Sequence, residues 1–202
     1  ITWKTVSIKK RTSLLENLAN KLEDNKEEYA NLMTTEMGKP ISQSIAEIDK
    51  CIWLCDFYIK NAEDFLADNI IKTDAKESFI SYDPLGVVLA VMPWNYPFWQ
   101  VFRFALPNLT AGNTALLKHA SNVTGCALAI QDIFIEAGYP KAVFQTLVAP
   151  HKTIEELIKN DKLKAVTLTG SEKAGKSIAE QCGNLLKKTV LELGSNDAYI
   201  VL

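Results

Sequence analysis

Histidine is scarce in this chain. His119 and His151 are the only two, and neither stands at metal-ligand spacing from the four cysteines, Cys51, Cys55, Cys126 and Cys182, so no His/Cys metal centre is expected. The cysteines read instead as reduced, buried thiols of a cytoplasmic protein. An excess of one charge is also missing. The 22 basic residues against 24 acidic ones leave a net charge of -2, and no basic stripe interleaves with aromatics, which removes the electrostatic footprint of a nucleic-acid binder. Nor is any apolar run long enough to span a bilayer, so no membrane partner is expected. The N-terminal Ile1-Thr2-Trp3-Lys4 has neither an initiator Met nor a signal-peptide core. The chain is expected to be an internal piece of something longer, and Ala198 to Leu202 to be a strand cut in mid-flow.

What is present is patterned. Leu14, Leu15, Leu18 and Leu22, then Tyr29, Leu32 and Met33, recur at helical spacing. Gly38-Lys39-Pro40 is a stop-and-turn signal, and a second amphipathic run follows Ser42 through Ile45, Ile48, Ile52, Cys55 and Ile59. Residues 10 to 70 are thus expected to be helical. Ser78 to Tyr82 alternates as a strand does, and Asp83-Pro84-Leu85-Gly86 breaks it. Short β-branched runs then recur at Val87 to Met92, Thr114 to Lys118, Ala142 to Val148, Ala165 to Thr169 and Thr189 to Leu193. Helix-like segments of ten or more residues separate them. Strand, helix, strand at this spacing implies crossovers and an α/β fold, a parallel sheet with helices on both faces. Such sheets bind ligands at the carboxyl ends of their strands, so the residues just after each strand carry the most information.

Four of those strand ends hold chemistry. Thr169-Gly170-Ser171 opens a helix, and free N–H groups with a hydroxyl and a positive dipole end suit a pyrophosphate; taken alone, an ordinary Ser N-cap is the favoured reading. Leu116-Leu117-Lys118 brings a cation that can meet a ribose hydroxyl or a phosphate, or else snorkel at the surface. Met92-Pro93-Trp94-Asn95-Tyr96-Pro97 packs rigid residues around one amide, which suits an oxyanion donor or a plain helix-entry turn. Glu192-Leu193-Gly194 places a carboxylate in an apolar strand, either a paired structural group or a general base.

Taken together, in this order and at these intervals, the four elements resemble the aldehyde dehydrogenase family, and Met37-Gly38-Lys39-Pro40 is similar to an upstream stretch of many members. The resemblance covers essentially the whole chain. It implies a Rossmann-like NAD(P)-binding fold in three parts: an N-terminal helical part over 1–75, an oligomerisation arm strand over 76–84, and the core over 85–202, truncated at the start of a catalytic domain. It implies Asn95 as donor to the oxyanion and Glu192 as the base that activates the deacylating water. Lys118 would hold the adenosine ribose and Ser171 the pyrophosphate. Met92, Pro93, Trp94, Gly170, Gly175, Leu193 and Gly194 would complete the cofactor site, and Tyr96 and Gln100 would face the substrate. The nucleophilic Cys of the family lies beyond the Glu and outside this chain; Cys182 stands at the wrong place to substitute. Self-association to a dimer or tetramer is implied through the arm.

Two further residues refine the resemblance. Arg103 stands where succinate-semialdehyde dehydrogenases carry an Arg for the far carboxylate, and a guanidinium suits that group; an interface ion pair is the alternative use. The substrate implied is therefore succinate semialdehyde or a similar aldehyde bearing a second carboxylate. Ser121 stands where NAD-selective members tend to carry Glu, so NADP is expected to be tolerated beside NAD. Two departures from the family pattern are His119, in place of Pro, and Ser195, in place of a Gly whose φ, if positive, would strain a Ser. Ser195 leans towards another reading, a naturally truncated dinucleotide-binding or oligomer-partner protein without catalysis. A related acyl-phosphate reductase explains the Pro-Trp-Asn stretch less well.

Overall fold

The computed structural model describes residues 3–195 and 198–201. Three helices come first, α1 (Ile8–Asp24), α2 (Lys26–Met37) and α3 (Ile41–Leu66). Ser7 starts α1 by accepting from the Lys10 N–H at 3.3 Å, the ordinary use of a Ser N-cap. The leucines expected to share a face, Leu14, Leu15, Leu18 and Leu22, are all buried. The helical pattern conceals one break: Asn25 stands outside the helices, between α1 and α2. Gly38 ends α2 with φ +74°, a left-handed conformation that a Cβ would strain.

A small antiparallel pair follows, β1 (Asn69–Ile70) and β2 (Phe79–Ile80), with all four residues exposed. The strand expected over 78–82 is thus confined to the two residues that find a partner. The main sheet is parallel and has the order β5-β4-β3-β6-β7. Its strands are β3 (Val87–Met92), β4 (Thr114–His119), β5 (Phe144–Thr146), β6 (Leu163–Gly170) and β7 (Lys188–Leu193), joined by α4 (Trp99–Thr110), α5 (Thr124–Glu136), α6 (His151–Ile158) and α7 (Glu172–Gly183). The α6 crossover is shorter than the ten residues expected. At 198–201 no regular structure forms and every residue is exposed, which corrects the expected terminal strand: no neighbouring strand among the described residues satisfies its backbone groups. Leu202 lies outside the described residues.

Alternation along β3 divides the core. Val88, Ala90 and Met92 face α1–α5, whereas Leu89 faces the α6 and α7 side with Ile154, Ile158, Val166, Leu168 and Ile178. From β3 the chain moves outward to β4 and β5, then returns to β6 and β7 on the other side of β3. The topological switch therefore falls between β3 and β6, and its crevice opens at their carboxyl ends. No helix of the described residues is long and apolar enough to cross a membrane.

Candidate active site

At that switch the chain leaves β3 through Pro93, Trp94 and Asn95, leaves β6 through Gly170, and leaves β7 through Gly194. Pro93, Trp94, Asn95, Thr169, Gly170, Glu192, Leu193 and Gly194 line one open cleft of about 570 Å³. Residues as far apart in the chain as Asn95 and Glu192 are brought together because three adjacent parallel strands end there. Ser171, next to Gly170, is the N-cap of α7, its Oγ accepting from the Ala174 N–H at 3.3 Å.

Lys118 and Ser121 line a second cleft of about 270 Å³ beyond β4, with Thr124, Thr146 and Pro150 among its walls and no carboxylate in its lining. The Lys118 ammonium donates to the His119 carbonyl at 2.7 Å, and burial holds its pKa below the usual lysine range. The two clefts lie along the same carboxyl edge of the sheet.

A third space, about 290 Å³, lies between α4 and the strands, lined in part by Met92, Gln100, Arg103, Thr169 and Glu192. Arg103 pairs there with Glu192 and donates to the Gln100 Oε1 at 2.8 Å. The Thr169 hydroxyl donates to the same Glu192 carboxylate at 3.2 Å. Glu192 thus borders both this space and the cleft containing Asn95, a pairing that the separate positions of Arg103 and Glu192 in the chain do not announce. Both partners are about 40% exposed, so solvent screens the pair.

Gly175, Tyr96 and Met92 lie apart from the open cleft. A Cβ on Gly175 would sit 2.5 Å from the Leu193 Cδ2, so this glycine lets α7 close on β7. The Tyr96 ring lies beneath the Lys39 ammonium, 3.7 Å from the ring centroid. Met92 is buried on the α4 side. Among the described residues the only non-glycine with positive φ is Leu186, so neither Gly194 nor Ser195 occupies the strained conformation considered above.

His119 is buried, with Nδ1 accepting from the Ala120 N–H and Nε2 lying 2.9 Å from the Pro97 carbonyl. An accepting Nδ1 puts the proton on Nε2, which donates to Pro97. Burial lowers its pKa below the ordinary 6.5, hydrogen bonds to the Pro97 and Met92 backbones opposing. All four thiols are buried. Burial raises the pKa of Cys51, Cys126 and Cys182, and that of Cys55 to about 12, so none supplies a thiolate near neutral pH.

Two carboxylates escaped the reading of the strand ends. Glu47 accepts from the Phe98 and Trp99 N–H groups at the start of α4, at 2.8 and 2.9 Å. Glu36 accepts from the Gly125 and Cys126 N–H groups at the start of α5, at 2.7 and 2.8 Å. Protein carboxylates therefore accept from the first backbone amides of α4 and α5, whereas among the described residues none does so at α6 or α7; Glu172, in the first turn of α7, pairs with Lys176 instead. Only the Met37-Gly38-Lys39-Pro40 stretch pointed towards this region.

The model of the aldehyde dehydrogenase family matches residues 1–202. The chain belongs to the aldehyde dehydrogenase family. Within it, the chain is 57% identical over 192 residues to a probable succinate-semialdehyde dehydrogenase, NADP(+), of Synechocystis, covering 95% of this chain and 42% of that protein. It is 44% identical over 200 residues to the succinate semialdehyde dehydrogenase, NAD(P)+, Sad of Escherichia coli, covering 99% and 43%. The succinic semialdehyde dehydrogenase of Streptococcus pyogenes, solved with NADP+, superposes with a TM-score of 0.96 at 36% identity, covering 99% of this chain and 44% of that one. The chain thus spans less than half the length of these relatives.

Proposed function

We propose that this chain is the cofactor-binding part of an NADP- or NAD-dependent dehydrogenase that oxidises succinate semialdehyde to succinate. The observation that carries the reading is the convergence of Asn95, Gly170 and Glu192 on one cleft, with Arg103 beside Glu192. The names of the similar enzymes from Synechocystis, E. coli and S. pyogenes support the substrate and the cofactors.

The residues fit a dinucleotide laid along the carboxyl edge. Lys118 and Ser121 take the adenosine ribose, and the absence of a carboxylate from that lining leaves a 2′-phosphate unopposed. The Ser171 end of α7 takes the pyrophosphate, and Pro93, Trp94, Leu193 and Gly194 border the nicotinamide. A bound NAD(P)+ would supply the hydride acceptor. Asn95 donates its amide to the oxygen that gains charge as a thiol adds to the carbonyl; by the family resemblance that thiol belongs to a catalytic part outside this chain. Glu192 takes the proton of the water that releases the acid. The overall balance is one aldehyde, one water and one oxidised cofactor giving one carboxylate, one reduced cofactor and two protons. Arg103 binds the far carboxylate of the substrate, which displaces Glu192 from the guanidinium and frees it to act in the cleft. The exposed β1–β2 hairpin with Tyr82 is the oligomerisation arm.

The test compares succinate semialdehyde with butyraldehyde, equal in carbon count but lacking the carboxylate, in the full-length enzyme with either cofactor. Succinate semialdehyde is expected to be preferred in kcat/KM, and Arg103→Ala to remove about 30-fold or more of that preference, the usual loss when one partner of a close charge pair is truncated. A preference that survives Arg103→Ala, or strong rejection of NADP, would refute the corresponding assignment.

A further inference from the structure

Asn95 is exposed and, among the described residues, its amide makes no hydrogen bond. Its direction is therefore set by the backbone that carries it. The four residues that follow are held by three side chains. The Tyr96 ring lies under the Lys39 ammonium, the Pro97 carbonyl accepts from His119, and the Phe98 and Trp99 N–H groups donate to Glu47. Lys39 and Glu47 also pair with each other, at 6% and 3% exposure. None of the roles assigned above uses either side chain.

A buried ion pair is a poor device for stability alone, since apolar residues of similar volume often serve as well. It does supply direction. One Glu47 oxygen takes both amides at the start of α4, where the helix dipole favours a negative group, and the other holds Lys39. Lys39 in turn is seated over an aromatic face, an arrangement with its own preferred geometry. The left-handed Gly38 turns the chain between α2 and α3 immediately before Lys39, which accounts for the otherwise unused Gly38-Lys39-Pro40 turn.

We propose that the Lys39–Glu47 pair is a positioning device for the Asn95 amide, fixing the turn so that the amide donates to the point where the oxyanion develops. This rests on the reading of Asn95 as the oxyanion donor. Both residues act through the turn and touch neither substrate nor cofactor.

The experiment is a double-mutant cycle in the full-length enzyme. Glu47→Gln keeps an acceptor for the two amides but loses the charge that holds Lys39; Lys39→Met keeps the stem and loses the ammonium. Each is expected to lower kcat about tenfold or more, because small misplacements of a catalytic group are costly, while cofactor affinity stays within about twofold. In an Asn95→Ala background the same substitutions should lower kcat no further. Losses that multiply would show a merely structural pair and overturn the proposal, as would an unchanged kcat in the single variants. If Glu47→Gln fails to fold, Lys39→Met carried through the same cycle decides. A kcat unmoved by Asn95→Ala itself would sink the oxyanion reading, and this proposal with it.

Discussion

His119 shows how one side chain can join two parts of a site. Its backbone follows Lys118 at the end of β4, and its ring donates to Pro97 in the turn after Asn95, a bond that the family's usual Pro has no N–H to make. The ring is buried and its pKa lies below the ordinary 6.5, so as pH falls the unfolded chain takes up a proton before the folded one does. Stability is therefore full above about pH 6.5 and is lost as pH falls from there towards the lowered value. Thermal unfolding followed between about pH 5 and 8 should show this slope, and His119→Gln, which keeps a donor for Pro97, should flatten it. An unchanged slope would mean that groups other than His119 set the pH dependence. Gly175 acts at the same scale by omission: a Cβ there would lie 2.5 Å from the Leu193 Cδ2, so any other residue would force the Leu193 side chain to repack.

Between elements, the N-terminal helices do more than cover one face of the sheet. From α2, Glu36 caps α5, and from α3, Glu47 caps the start of α4. Each carboxylate satisfies two backbone amides that a helix leaves without internal partners. Those two ends are thus filled from within the protein, and under the proposed function the pyrophosphate is taken at the Ser171 end of α7 instead. Glu36→Ala should therefore lower stability by about 1–2 kcal/mol, the usual worth of a lost cap, which in a domain of this size is a fall in Tm of about 2–8 °C. Binding of NADP, measured on the same variant by fluorescence titration, should change little.

For the molecule as a whole, the proposed function places cofactor handling in this chain and nucleophilic attack outside it. The four cysteines are buried with raised pKa values, so a polypeptide of residues 1–202 should form no reduced cofactor from succinate semialdehyde, as followed by absorbance, whereas the full-length enzyme should. Measurable turnover by the shorter polypeptide would place a nucleophile within it. The sequence by itself determined the alternation of strands and helices, the parallel class of the sheet, and the strand ends at which polar residues gather, because each depends on local periodicity and on turn residues a few positions apart. It did not show the break at Asn25, where the apolar spacing runs on, or the shortness of α6. The tertiary structure alone decided the contact of Arg103 with Glu192 and the capping of α4 and α5 by Glu47 and Glu36. Those partners are separated by 51 to 90 positions, and a carboxylate on a helix looks like any solvated charge until packing brings an amide or a guanidinium within reach of it.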